Sequence, residues 1–258
     1  MRQKNLLFLV LIMVMMTLVP IFAQRNYNQE TDFRWEYTND GSHIRITDYL
    51  GRQREIYIPP LINAVNVTEI GENAFSNDRL TGVSLPNSIT FIGNNAFHKN
   101  RLRGMVLPNG IIHIGENAFS NNNLAGIIIP NSVTFIGNSA FHDNNLRGLT
   151  IPNNVIIIGD NAFSDNRLEG VTISNNATSI GNGAFRNNRL RGIALPDNIS
   201  VIGELAFAGN RITTIEIGNN VSMGRNTFDN RFFDFYEKHG RRAGIYSLSN
   251  RRWVVEFR

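Results

Sequence analysis

Residues 71–93 read GENAFSNDRLTGVSLPNSITFIG; residues 93–115 say nearly the same thing as GNNAFHKNRLRGMVLPNGIIHIG, and 115–137 say it again as GENAFSNNNLAGIIIPNSVTFIG. Gly71, Gly93, Gly115, Gly137, Gly159, Gly181 and Gly203 stand 22 residues apart without exception, and Phe75, Phe97, Phe119, Phe141, Phe163, Phe185 and Phe207 keep the same step. A unit this short cannot bury its own apolar face. Seven phase-locked copies therefore predict a stack in which each copy is one coil and its neighbours complete the core.

Within a coil the run L-x-x-V-x-L-P reads as a short strand with Leu80, Val83 and Leu85 inward, stacked on neighbouring coils about 4.8 Å away in a parallel ladder. The second run, I-x-x-I-G (Ile89, Ile92, Gly93), lines the other side of the core, and its glycine is expected to permit a tight turn into the A-F that follows. Ala74 and Phe75 then fill the space between the walls. Two residues before each strand Leu stand Asp78, Asn100, Asn122, Asn144, Asn166, Asn188 and Asn210. A short amide there is expected to take a left-handed turn and bond backbone groups of adjacent coils, making a ladder along one corner; a carbohydrate or metal site built of amides is the competing use. The period of about 20–29 residues is that of leucine-rich repeats, so the expected fold is a right-handed, β-rich leucine-rich-repeat solenoid running from about Phe33 to Phe257.

The pattern fades at both ends. Residues 25–70 are expected to form an N-terminal cap with an irregular first coil, its Ile58-Pro59-Pro60 imitating the repeat's L-P. The repeats proper occupy 71–224, where the last spacing shortens to 21 and Thr227-Phe228 is a final echo. Residues 225–258 carry Phe228, Phe232, Phe233, Phe235, Tyr236, Tyr246, Trp253 and Phe257, expected as short strands divided by turns at Gly240, Gly244 and Ser249-Asn250. An open stack exposes an apolar end, and these rings would cover it; an aromatic ligand box is the alternative. Residues 1–24 read as a cleaved secretory signal peptide, with Arg2 and Lys4 before the apolar run Leu6–Phe22 and the small Ala23 before Gln24. An uncleaved anchor would need a similar length, but Pro20 interrupts the run. The chain is thus expected to be exported: on the cell surface, secreted or periplasmic. Cysteine is absent, which excludes disulfides, thiolate metal sites and thiol nucleophiles. Without Arg2 and Lys4 the chain keeps 23 Lys+Arg against 21 Asp+Glu, so the arrangement of charge matters more than its total.

The unit N-A-F-S-N-N-x-L-x-x-V-x-I-P-N-S-V-T-x-I-G closely resembles the BspA-type leucine-rich repeats of exported and surface proteins from host-associated bacteria, treponemes among them. The resemblance covers 71–224; the lead-in at 44–70 and the tail YEKHGRRAGIYSLSNRRW resemble elements of treponeme members. It implies a curved, exported solenoid used for protein-protein contact, with adhesion to host matrix or to other bacteria as the best-known role. It implies no catalytic residues and no cofactor. The chain departs from many members in carrying asparagine where they carry cysteine near the A-F.

If the fixed letters are core, function is expected in the outward ones. Flanking each strand Leu are Arg79, Arg101, Arg103, Arg147, Arg167, Arg189, Arg191 and Arg211, in two columns that contain eight arginines and one acid. The whole block Gly71–Met223 is balanced at ten basic and ten acidic residues, so the arginines are segregated. Planar guanidinium groups at one per coil suit an acidic protein partner; charged edges that only keep strands soluble are the competing reading. The outward strand residues Ser84, Val106, Ile128, Thr150, Thr172, Ala194 and Glu216 complete the expected partner-binding face. No aromatic platform interleaves with the arginines, so nucleic acid is not expected.

The residue after each repeat glycine alternates acid and amide: Glu72, Asn94, Glu116, Asn138, Asp160, Asn182, Glu204. Ser76, Ser120 and Ser164 alternate with His98 and His142, so the array reads as copies of a 44-residue pair. His98 and His142 are expected about two coils apart, near 10 Å, too far to share a metal; they, His43, His113 and His239 read as surface residues with no triad partners. The sequons at Asn66, Asn176 and Asn198 are what an asparagine-rich repeat produces by accident. The expected function is adhesin-like binding of host matrix or bacterial surface proteins without enzymatic chemistry; an envelope structural or assembly protein that meets only the cell's own partners is the alternative.

Overall fold

The computed structural model describes residues 27–228, 230–249 and 252–258. The expected leader, residues 1–24, lies outside them, as does Asn250 of the expected turn. The N-terminal region gives β1 (Phe33–Tyr37), β2 (Ile44–Tyr49), β3 (Glu55–Tyr57), β4 (Leu61–Ile62) and β5 (Val65–Ile70). The coils add β6 (Gly82–Ser84), β7 (Phe91–Ile92), β8 (His113–Ile114), β9 (Phe135–Ile136), β10 (Gly148–Thr150), β11 (Ile157–Ile158), β12 (Gly170–Thr172), β13 (Ser179–Ile180), β14 (Gly192–Ala194), β15 (Val201–Ile202), β16 (Thr214–Ile217) and β17 (Ser222–Met223). A helix α1 (Asn230–Lys238) and the hairpin β18 (Gly244–Ser249) and β19 (Arg252–Phe257) finish the chain.

The result is a β-solenoid with two walls around one core. Wall A holds the L-x-x-V-x-L run, and wall B holds the second run. The strength of the two is the reverse of the sequence expectation. Wall B is a continuous sheet in the order β1-β2-β5-β7-β8-β9-β11-β13-β15-β17, with Ile70↔Ile92, Ile92↔Ile114 and Ile114↔Ile136 in parallel register. Wall A, expected to be the ladder, is broken into β3-β6, β10-β12 and β14-β16-β18-β19. No strand forms at 104–106 or 126–128. In those two coils the inward Met105 and Ile127 are only partly buried, whereas Val83 and Leu149 are buried. Wall A is therefore loosened in its middle.

The phenylalanine column explains why the stack needs little regular sheet. Phe75, Phe97, Phe119, Phe141, Phe163, Phe185, Phe207 and Phe228 form one row of rings with centroids 5.0–5.6 Å apart and planes within 12° of parallel. All but Phe228 are at most 2% exposed. Burying such a ring is worth about 2–3 kcal/mol, and offset stacking adds about 1 more. Phe33 and Tyr49 close the row at one end, 6.2 and 5.8 Å from Phe75. Phe232 closes it at the other, edge-on to Phe228 at 5.1 Å.

The asparagine ladder forms as its spacing requires. Asn122, for example, accepts from the Leu102 amide at 3.1 Å and donates to the Phe97 and Phe119 carbonyls at 2.9 and 3.1 Å. The same set recurs at Asn100, Asn144, Asn166, Asn188 and Asn210. One amide thus satisfies backbone groups of two coils at a corner where no strand can. The left-handed turn, however, sits one residue earlier than expected, at Asn77, Lys99, Asn121, Asp143, Asp165, Asn187 and Gly209, with a second at Asn73 and its equivalents.

The repeat glycine also has a different duty. Gly93, Gly115, Gly137, Gly159, Gly181 and Gly203 are not in the left-handed region. Instead, a Cβ on Gly137 would fall 2.6 Å from the Glu116 amide nitrogen and from the Gly115 carbonyl carbon of the coil before. Glycine is required by the close approach of coil to coil, not by a turn.

Asp78 is the one carboxylate in the ladder column, and it lacks the donor that the amides use. Burial, reinforced by the charge of Asp48, pushes it up to about 6. A carboxylate raised in the fold above its unfolded value contributes stability that is complete below pH of about 4 and is lost as pH rises through about 6. Asp78→Asn is expected to stabilise the protein at pH 7.5 by about 1 kcal/mol, after discounting for the screening of a half-exposed group. The gain should shrink as pH is lowered from 6 towards 4. Thermal unfolding across pH 4–8 checks this; a difference independent of pH would refute it.

The tail was expected to be short strands throughout, yet it begins with α1. Phe232 and Tyr236, one helical turn apart, are both fully buried. The hairpin then extends wall A, with β18 antiparallel to β16. The Val221 amide donates to the Tyr236 hydroxyl, which donates to the Gly218 carbonyl at 2.7 Å, and Tyr246 donates to the Arg242 carbonyl. Among the described residues this leaves Trp253 Nε1 as the one buried side-chain polar atom without a partner. No helix among the described residues is long and apolar enough to cross a membrane.

Candidate functional site

Wall A carries both arginine columns. The alternation that sends Leu80 and its equivalents inward leaves the residues on either side outward, so Arg79, Arg101, Arg103, Arg147, Arg167, Arg189, Arg191 and Arg211 are all exposed. None of the ion pairs among the described residues involves them. Eight guanidinium groups without a carboxylate within 4.0 Å among the described residues form a basic border.

Three residues beyond the second column, to one side of both, run the outward strand positions. Thr150, Thr172 and Ala194 are exposed, and Ser84 is half-buried. Val106 and Ile128 are 84% and 85% exposed, on the two coils where wall A is loosened. Glu216 differs from the others: Arg258 holds it at 3.0 Å, and reaches Asp197 at 3.3 Å. Arg258 thereby closes one end of a groove of about 500 Å³ lined by Thr172, Ala194, Leu195, Pro196 and Glu216. Sequence reasoning missed Arg258, since nothing local ties the tail to the strand face.

It also missed the outer surface of wall B. The register places Phe91, His113 and Phe135 one above another, with ring centroids 4.6 and 4.7 Å apart and planes within 9°. His113 is therefore a half-buried ring between two phenylalanines rather than a free surface residue, and burial holds it below its ordinary value. The residue before the invariant Ile of I-G was legible as a column; its apolar content was the signal.

The other histidines meet serines across coils. His98 Nδ1 lies 2.6 Å from Ser120 Oγ, and His142 Nδ1 lies 2.8 Å from Ser164 Oγ and 3.5 Å from the Asp165 carboxylate. The reading of both as isolated surface residues is thus corrected: each is half-buried and bonded to the next coil. Ser120 and Ser164 are fully buried and donate to the Asn117 and Asn161 carbonyls at 3.0 and 3.1 Å. A hydroxyl that is buried and already donating is no nucleophile, so these contacts are coil-to-coil fastenings. Among the described residues no group of three or more His, Asp or Glu could hold a metal ion.

The model of the family described as "BspA type Leucine rich repeat region (6 copies)" matches residues 68–189 and 113–233. Among solved structures, a leucine-rich cell surface protein from Faecalibacterium prausnitzii A2-165 is 26% identical, with a TM-score of 0.65 over 88% of this chain and 60% of its own. A leucine-rich repeat protein from Bacteroides ovatus ATCC 8483 is 25% identical, with a TM-score of 0.71 over 80% of this chain and 57% of its own. The T. pallidum Leucine Rich Repeat protein is 27% identical, with a TM-score of 0.57 over 83% of this chain and 94% of its own. The chain thus spans less than two thirds of the first two of these proteins. None of the curated proteins matches it.

Proposed function

Because this chain belongs to the BspA-type leucine-rich repeat family, we propose that it is an exported protein-interaction module whose wall A grips an acidic surface protein of a host or of another bacterium. The observation that carries the reading is the set of eight exposed arginines that take part in no ion pair among the described residues, on a repeat block whose total charge is balanced. The description of the Faecalibacterium protein as a cell surface protein supports the location. The groove lined by Arg258, and the apolar Val106 and Ile128 beside the basic columns, give a partner both a recess and an uncharged patch.

Two experiments test this. Protease treatment of intact cells should cleave the protein; complete shelter inside the envelope would favour an assembly role among the cell's own partners. Replacing Arg101, Arg103, Arg189 and Arg191 together by Ser should weaken binding to an immobilised acidic matrix protein by about tenfold or more and flatten its salt dependence. Unchanged affinity and an unchanged salt response would refute the role of the arginines.

A further inference from the structure

Wall B presents an apolar sheet face that no other element covers among the described residues. Ile112, Ile156 and Ile157 are each more than half exposed, and Phe135 and Val201 nearly so. With Phe91 and His113, the residues from Ile112 to Ile157 make a ridge along consecutive coils, and Ser179 separates it from Val201; an apolar exposure of this kind is one that monomeric proteins seldom keep without use. Beside the ridge, three residues further along each coil, runs the column of alternating acids. Glu72, Glu116, Asp160 and Glu204 take part in no ion pair among the described residues. Their amide neighbours hold the column in line: Asn138 donates to Glu116 at 3.3 Å and Asn182 to Asp160 at 3.2 Å. Glu72, Glu116, Phe91, His113 and Phe135 line a groove of about 480 Å³. Arg45 also lines it, but Glu36 and Glu69 hold its guanidinium at 3.2 and 2.7 Å, so it does not neutralise the column.

The occupant this face calls for is apolar along its centre and basic along its border, repeating at the rise of one coil. Wall A of the same protein has that chemistry: Val106 and Ile128 project beside the arginine columns, three and five residues further along the coil. Because both walls belong to one solenoid their repeats match automatically, at about 4.8 Å per coil. Both apolar clusters lie on central coils, so centre can meet centre with the charged columns opposed. We propose that wall B is the docking site for wall A of a second copy, so that molecules stack face to back. Such a contact joins two different surfaces, leaves one of each free, and therefore grows into open stacks rather than a closed dimer. It uses the same arginines as the function proposed above, so stacking and partner binding compete for wall A.

Sedimentation velocity on the purified protein from about 1 to 200 μM tests the proposal. In about 50 mM salt the mean mass should climb with concentration past that of a dimer, and in about 500 mM salt the association should weaken at least tenfold. Glu116→Gln with Asp160→Asn, and separately Phe135→Ser with Ile157→Ser, should each weaken it tenfold or more. Circular dichroism should confirm that these variants keep the fold. A wall B reversal (Glu116→Arg, Asp160→Arg) and a wall A reversal (Arg101→Glu, Arg103→Glu, Arg147→Glu) should each be monomeric alone and associate when mixed. A monomer at every concentration in low salt, a closed dimer, or association indifferent to the wall B variants would overturn the proposal. The wall B variants leave the arginines intact, so loss of stacking with retained binding to the acidic matrix protein separates this proposal from the previous one.

Discussion

Phe141→Ala is expected to destabilise the protein by about 3–5 kcal/mol, the cost of emptying a ring-sized space that rigid neighbours cannot refill. Phe141 sits 5.3 Å from Phe119 and 5.4 Å from Phe163 in the unbroken row, with no exposed surface. Its removal deletes two stacking contacts as well as one buried ring. A solenoid's stability is a sum of coil terms and neighbour terms, so a gap in mid-row weakens the coupling between the two halves. Chemical denaturation should therefore show an earlier midpoint and a broader or divided transition. Phe141→Leu, which refills part of the volume, should cost clearly less. If alanine cost no more than leucine, the row would not be the element that holds the coils together.

Gly137→Ala is expected to be similarly damaging although it adds a single methyl group. The new Cβ would stand 2.6 Å from two backbone atoms of the preceding coil, and backbone cannot rotate away as a side chain can. Relief requires the coils to separate, which lengthens the 2.9 Å bond from the Gly137 amide to the Ile114 carbonyl and disturbs wall B on both sides. Overpacking of this kind costs about 3 kcal/mol. Gly126→Ala is the matched control. A Cβ there meets nothing within 4 Å, and the change should be neutral to within about 0.5 kcal/mol. Equal effects at the two glycines would mean that conformational freedom, not proximity, is what glycine supplies.

The contrast between those glycines shows what a single sequence does and does not reveal. Period alone locates the coil, its inward letters and the corner amide, because each depends on spacing along one chain. The reason for Gly137 depends on the coil before it, and a sequence does not show how closely two coils approach. The apolar ridge of wall B was visible as Phe91, Phe135, Ile157 and Val201 in one column. Whether those outward letters stay uncovered depends on how the coils and caps pack, which the letters of one column do not show. In fact wall B keeps every rung, whereas wall A loses two strands and also the pairing of β12 with β14, although the inward letters at Met105 and Ile127 remain apolar. Phe232 and Tyr236 held the helical spacing of α1 in plain view, but aromatic residues so close together also favour strands, and the period was misjudged. The arginines were found by counting columns. Arg258 was not, since its partners Glu216 and Asp197 lie far away in the chain.

The central claim is a division of labour within each coil, in which the fixed letters build the wall and the changing outward letters are free for binding. An alanine scan of the single coil 137–158, read by denaturant unfolding with glycine at Ala140, tests it most directly. The predicted result is that losses above about 2 kcal/mol fall on Gly137, Phe141, Asn144, Leu146, Leu149, Ile151, Val155 and Ile158, while Arg147 and Thr150 stay within about 0.5 kcal/mol. Losses at Arg147 and Thr150 equal to those at the inward positions would contradict it.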